Sequence, residues 1–463
     1  MGTRISRREA IANLFKGAAR LFFKVGAAGA VLSGGPFVHT SHSAGRLVIT
    51  TWEHWSPAAN SLLQRLARAW GRRNGVDVNI HLVSSLGSRE IQAISAQQRA
   101  GIGFDIISLP TWETALYEHS LESLDNEAAF LAGKYGEFSP DVEYCFRINK
   151  VWRALPAPTG GNQGFPMVSR LDYFREFAGI DLQQVFPPEK TRDRKLVAEW
   201  NHENLLRYAG RLHKAGHSIA NPIAATSDSQ NWLAPLFMAF GSQPVGPRGD
   251  IMIDSAGTRQ VLEYMKHLSA FMPGQIFGWD NADNNRWLLS GTGSAIINSP
   301  NAWSLARRNK SAVAAQLWHH DMIRGPQGRF RATRPRGWGI WKFSRSKQAS
   351  RDLLLHLLKH EQQDQLQAAS EGIDLPSQPF FAAREAWADI SPPRGSLYNY
   401  PLRGDEVFMV PGAPAPPAIA ARIASRSVIP NMVAKVVRGG RSTAEAIAWA
   451  SGELEKILLE SER

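Results

Sequence analysis

Between Leu47 and Pro110 the apolar period switches from strand to helix and back in strict alternation, and this constrains the fold of the chain more than any other feature. Leu47-Val48-Ile49-Thr50-Thr51-Trp52 is a near-continuous apolar and β-branched run, as expected of a strand buried on both faces. The next segment, Ala58–Trp70, sets Leu62, Leu63, Leu66, Ala69 and Trp70 on one helical face. Val76–Val83 alternates as a second strand, a helix is expected from Ser88 to about Ala100, and Phe104–Pro110 forms a third strand that stops at proline. Strand–helix–strand–helix–strand is the order of a parallel, doubly wound sheet, so the fold class is α/β. Ligands of such sheets lie beyond the carboxyl ends of the strands. That rule points to Glu53, His54 and Trp55 after the first strand, and to Thr111, Trp112 and Glu113 after the third.

A chain of 463 residues with 43% hydrophobic content exceeds what one core serves, so two lobes are expected. The net charge of +12 suits solubility or anionic surfaces but selects no partner. Cys145 is the only cysteine, which excludes an intrachain disulfide and reads as a small buried hydrophobe. Residues 1–43 carry Arg7-Arg8, then an apolar stretch from Val25 to Val38, then Ser41-His42-Ser43 before Ala44. This order resembles a twin-arginine export signal and implies a periplasmic protein. The apolar stretch is shorter than the ~20 residues that span a bilayer.

Beyond the first strands, an ordered series of segments resembles family 1 extracellular solute-binding proteins, the sugar-binding class that includes maltose-binding protein. The series begins with Trp52-Glu53-His54-Trp55, Asn74–Val78 and Asp105-Ile106-Ile107. Trp152–Pro156 is similar to that family's first hinge crossing, and Leu171–Asp181 to the segment after it. Glu199-Trp200 with Leu205, Leu206, Ala209 and Leu212 is similar to a characteristic helix start. Asp228–Leu236 resembles its ligand-proximal helix, and Ser290–Trp303 its most distinctive stretch. Asn301 stands where maltose-binding proteins carry an aromatic residue, a departure that argues against maltodextrin stacking at that point. Trp318–Asp321 and Leu397–Pro401, near the proline-rich Pro411–Pro417, have no counterpart in the series.

The resemblance implies a two-lobed periplasmic binding protein fold (type II), each lobe a doubly wound sheet flanked by helices, with the ligand cleft at the hinge. Its expected lobes are residues 46–155 with 292–334, and residues 156–291 with 335–463. It implies a monomeric, non-catalytic partner of an ABC permease in the inner membrane, capturing a small polar ligand, a carbohydrate, without cofactor or metal. Expected ligand-binding residues are Glu53, Trp55, Trp112, Asn162, Gln163, Trp232, Asn298, Asn301 and Trp338. Tryptophan is abundant, at 15 residues, and its flat ring suits the C–H face of a pyranose while Asn, Asp and Arg take the hydroxyls. Asn162 and Gln163 belong to the flexible polar loop Gly160–Gly164 beside the hinge.

Competing chemistry is weaker. In His319-His320-Asp321 adjacent side chains of an extended segment point to opposite faces, so metal ligation is not expected. His360-Glu361 with Asp364 lacks the second histidine of a zinc protease and reads as a solvated helix face. Arg324, Arg329, Arg331, Arg334 and Arg336 form a run able to bind a phosphate or nucleic acid, but with no nucleic-acid-binding fold beside them they read as a charged surface, with Arg336 able to reach the cleft. The alternative reading is a periplasmic carbohydrate-active enzyme with Glu53 and Asp280 as acid and base, which requires the two carboxylates to flank one bond.

Overall fold

The computed structural model describes residues 45–86, 89–187, 192–383 and 406–461. The expected leader at 1–43 and the Leu397–Pro401 segment lie outside the described residues. Strand β1 (Arg46–Trp52) pairs in parallel with β2 (Asp77–Val83) along its whole length, from Arg46 opposite Asp77 to Trp52 opposite Val83. It also pairs in parallel with β3 (Ile106–Pro110). β3 is buried throughout, whereas β2 buries only Val78 and Ile80 of its alternating pattern, as suits an edge strand. The helix Pro57–Asn74 starts on a proline and ends at Gly75, whose φ of 67° is the left-handed cap that lets the chain turn sharply into β2.

After a short hairpin of β4 (Arg147–Ile148) and β5 (Val151–Trp152), β6 (Leu155–Pro156) ends the first pass through this lobe. The chain then crosses and forms β7 (Met167–Arg170), β8 (Ser218–Ile219), β9 (Gly293–Ile297) and β10 (Leu317–His320). These four make a separate mixed sheet in the order β10-β7-β9-β8, in which only β8 and β9 run parallel. β11 (Arg329–Ala332) pairs with β13 (Glu406–Met409). β12 (Arg336–Ile340) returns to the first sheet, antiparallel to both β3 and β6, giving the order β2-β1-β3-β12-β6.

Strand pairing therefore corrects the expected lobe boundaries. Residues 292–334 were expected in the first lobe, but β9 and β10 hydrogen-bond to β7 and pack in the second. Residues 335–463 were expected in the second lobe, but β12 belongs to the first sheet, and Leu353, Leu354, Leu357 and Leu366 join the first core. The helices Pro417–Ser425, Val428–Val437 and Thr443–Ser461 do pack in the second core, through Ile423, Met432, Val433 and Leu454. β9 and β12 are both five-residue, fully buried runs, and nothing local tells one sheet from the other.

The arginine run is a second correction, since Arg329, Arg331 and Arg336 are buried rather than on the surface. Arg331 pairs with Glu406 at 2.5 Å, Arg329 donates to the carbonyls of Met322 and Trp200 at 3.0 and 3.1 Å, and Arg336 pairs with Glu90. Buried cations persist where such partners replace water. Among the described residues no helix is long and apolar enough to cross a membrane, and no group of three His, Cys, Asp or Glu could hold a metal ion.

Candidate ligand site between the lobes

A cavity of about 370 Å³ opens at the carboxyl ends of β2 and β3, within the ~300–1,000 Å³ range of small-ligand sites. Ser85 and Leu86 after β2, with Trp112 and Glu113 after β3, form its first-lobe wall. Thr226, Ser227 and Gln230 at the start of the helix Ser227–Ala239, with Trp279, Asp280 and Asn281, form the second-lobe wall. Ala421, Ala424 and Ser425 of the helix Pro417–Ser425 close a third side, and Arg334 lies on the crossing between the lobes. A void of similar size, about 380 Å³, lies at the opposite ends of β1 and β3, beside Arg46, Ile102 and Phe104. That end of a parallel sheet is not where its ligands sit, and only the first lobe lines it.

Local structure explains how each wall is held. Thr111 has a φ of 37°, unusual for a β-branched residue, and its N–H donates to the Pro335 carbonyl at 2.8 Å. The turn it makes delivers Trp112, whose ring packs against both cores and whose Nε1 donates to the Pro411 carbonyl at 2.6 Å. Across the cavity, Thr226 caps its helix by accepting from the Ser229 N–H at 3.2 Å, and the Asp228 N–H donates to Asn281 Oδ1 at 3.3 Å. The Asp228 carboxylate turns inward to accept from Asn284 Nδ2 at 3.1 Å and Asn298 Nδ2 at 3.2 Å. Burial raises its pKa to about 6. Asp280 accepts from the N–H groups of Ala282 and Asp283 at 2.7 and 3.1 Å and pairs with Arg286 at 3.2 Å.

Glu113 is buried in the first-lobe wall, and its Oε2 has no hydrogen-bond partner among the described residues. Burial, reinforced by the neighbouring Glu90 carboxylate, raises its pKa to about 7, so near neutrality it is about half protonated and can both donate and accept. Arg334 also has a buried Nε without a partner. Desolvation and the adjacent Arg336, offset in part by the Asp228 and Glu90 carboxylates, lower its pKa to about 10, which leaves it charged at neutral pH.

Of the expected binding residues, Trp112 lines this cavity. Trp232 does not: it is buried in the second core, its Nε1 donates to the Pro222 carbonyl at 2.7 Å, and its ring borders an apolar void of about 30 Å³. Trp338 is fully buried on β12 and donates to Thr51 Oγ1 at 2.9 Å. Asn298 is a second-lobe anchor, bound to Asp228 and to Asn284 Oδ1 at 3.1 Å. Asn162 is buried against Asp141 at 2.7 Å, and the backbone of Gln163 pairs with Asp374 and Arg334. Glu53 is exposed and extends the β1–β2 ladder through its N–H to Val83.

Trp55 and Asn301 lie away from the cavity walls. The Trp55 carbonyl accepts from Arg308 at 3.2 Å, and Asn301 starts the helix Asn301–Arg308, its Oδ1 buried without a partner. Glu53 and Asp280 are not brought to one bond, since only Asp280 lines the cavity. Gln230 and Trp279 line the cavity without having been expected there, and Arg334, expected only as part of a charged run, lines it too. Helix geometry in Asp228–Leu236 allows only one of Gln230 and Trp232 to face the cavity, since two residues turn the side chain by about 200°; the structure turns Gln230 to the cavity and Trp232 to the core.

No family model matches the chain, and no curated protein matches it in sequence. Solved structures do. The maltose-bound MalE3 of T. maritima superimposes with a TM-score of 0.72 at 18% identity, covering 89% of this chain and 99% of its own. A sugar transporter of Arthrobacter chlorophenolicus with bound laminaribiose gives 0.71 at 14% identity, with the same coverage of 89% and 99%. An ABC transporter solute-binding protein of Thermotoga lettingae bound with α-D-tagatose gives 0.69 at 14%, again covering 89% and 99%. The chain thus has the two-lobed type II fold seen in these sugar-binding proteins, with its cavity where the lobes meet.

Proposed function

We propose that this protein is the substrate-binding component of an ABC importer and captures a small carbohydrate in the cavity between its lobes. The observation that carries this reading is the cavity itself, which joins two indole rings, Trp112 and Trp279, to hydroxyl, amide and carboxyl groups contributed by both lobes. Flat rings with a rim of hydrogen-bonding groups suit a pyranose. The similar structures support it, since their bound ligands are maltose, laminaribiose and tagatose. In this reading Trp112 and Trp279 stack on sugar faces, and Ser227, Gln230 and Asn281 take hydroxyls. The monomeric protein is exported through the paired arginines Arg7-Arg8, works in the periplasm and presents its closed form to the membrane permease.

A thermal-shift screen over monosaccharides, disaccharides and polyols, followed by calorimetry, tests the proposal, because a ligand that binds only the folded state raises stability by mass action. Stoichiometric binding of at least one sugar without turnover is expected. Hydrolysis of a glycoside panel, or silence across the whole panel, would overturn the assignment.

A further inference from the structure

We propose that the sugar taken by this cavity carries an anionic group, a carboxylate or a phosphate, and that Arg334 receives it. This deepens the reading above and rests on it. Arg334 sits between β11 and β12, where the chain crosses from one lobe to the other, and its N–H donates to the Gln163 carbonyl at 2.8 Å. Its side chain lines the cavity, yet no described carboxylate lies within ion-pairing distance, and its Nε is buried without a partner. Neighbouring arginines with less exposure are engaged: Arg336 with Glu90, Arg331 with Glu406, Arg192 with Asp321.

The acids around the cavity are engaged elsewhere or neutralised. Glu90 is held by Arg336, Asp228 by Asn284 and Asn298, and Asp280 by Arg286 and two backbone N–H groups. Glu113 is pushed toward its protonated form by burial and by Glu90. Arg334 is half-buried, and Asp228 and Glu90 act on its charge without touching it, so its guanidinium has no carboxylate in contact; the hydroxyls of a neutral sugar satisfy its N–H groups but not its charge. A carboxylate or phosphate satisfies both, through the two-pronged geometry that arginine favours. A second feature points the same way. The helix Ser227–Ala239 directs its positive end at the same cavity, and there the Ser227 Oγ is also buried without a partner.

The test is calorimetry on the full chain with matched sugars: glucose against glucuronate and glucose 6-phosphate, and galactose against galacturonate and galactose 6-phosphate. At least one acidic sugar is expected to bind about tenfold or more tightly than its neutral counterpart, as for a gained charge-assisted contact. Preference for the uronates assigns the ligand a carboxylate, and preference for the sugar phosphates assigns it a phosphate. Arg334→Gln should abolish that preference and leave the unliganded melting temperature near that of the unaltered chain, because no carboxylate contacts the guanidinium it removes. Arg334→Lys should keep a reduced preference. Equal or tighter binding of the neutral sugars, or an acidic preference that survives Arg334→Gln, would overturn the Arg334 assignment and leave sugar capture standing. Failure of every sugar, neutral and acidic, to bind would overturn both.

Discussion

At the scale of single residues, the cavity wall contains a carboxyl group whose titration shapes stability. Glu113 has its pKa raised from 4.5 to about 7 by burial and by Glu90. Between those two values the folded state holds a proton that the unfolded state has released, so stability falls as pH rises through that window. A shift of this size corresponds to about 3 kcal/mol, as an order of magnitude, at ~1.4 kcal/mol per pH unit. Glu113→Gln should therefore stabilise the unliganded protein at pH 8 and change little at pH 4, as denaturant melts at the two pH values would show; equal effects at both would mean that the carboxyl is solvated. Two tryptophans should separate binding from packing. Trp232→Ala empties a site in the second core and should destabilise by ~3–5 kcal/mol, leaving the ligand affinity of the remaining folded protein alone. Trp112→Ala should weaken sugar binding about tenfold, with a smaller loss of stability because the ring is only partly buried. Affinity that follows Trp232 rather than Trp112 would put the site elsewhere.

At the scale of elements, the first sheet was legible because its signals are local. The strands at 46–52, 77–83 and 106–110 and the helix between the first two follow period, proline and glycine. β12 was illegible as a first-lobe strand because Gly337 and Gly339 give it almost no pattern. The structure supplies their reason. A Cβ on Gly337 would sit 2.8 Å from both the Ala154 Cβ and the Phe146 ring, and one on Gly339 would sit 2.9 Å from Leu109 and Leu121. The strand is thin so that it can lie between β3 and β6 under the helix Pro140–Phe146 and the Leu121 turn. Gly337→Ala should overpack this seam and destabilise by ~1–3 kcal/mol. A melting temperature equal to that of the unaltered chain would show that the seam yields. The helix Ser227–Ala239 illustrates the complementary limit. Its position as a cavity element was visible in the residues, but its rotation was not, since Asn231, Trp232 and Leu233 are all buried and no single polar face reveals which way it turns.

At the scale of the whole molecule, two lobes meet along the crossings and also along a rim on the side of the helix Asn301–Arg308. There Glu371 of the first lobe pairs with Arg307 at 3.0 Å and Arg308 at 2.7 Å in the second, and also accepts from Ser304. Arg308 reaches on to the Trp55 carbonyl. Glu371 is 12% exposed and Arg307 46%, so each pair is worth little singly, but together they join the lobes close to the first crossing, where nearby Asp374 accepts from the Gly160 N–H at 2.9 Å. Glu371→Gln should loosen that contact, enlarge the radius of gyration of the unliganded protein in solution scattering and weaken ligand binding by about two- to fivefold, the span of ~0.5–1 kcal/mol. An identical scattering profile would mean that the lobes are held by the crossings alone. The amino-acid sequence by itself determined the α/β class, the order of elements from β1 to β3 and a size that calls for two lobes, because each is expressed in neighbouring residues or in chain length. Tertiary structure alone decided which sheet receives β9 and β12, which face of a helix meets the cavity, and which charges find partners. Those outcomes depend on residues far apart in the chain: Glu90 and Arg336, 246 positions apart, form a buried pair, whereas Arg334, two residues from that pair, has no carboxylate in contact and a shielded Nε without a hydrogen bond. Burial makes such pairings decisive, because only where water is excluded does the presence or absence of one distant partner set the charge and the chemistry of a site.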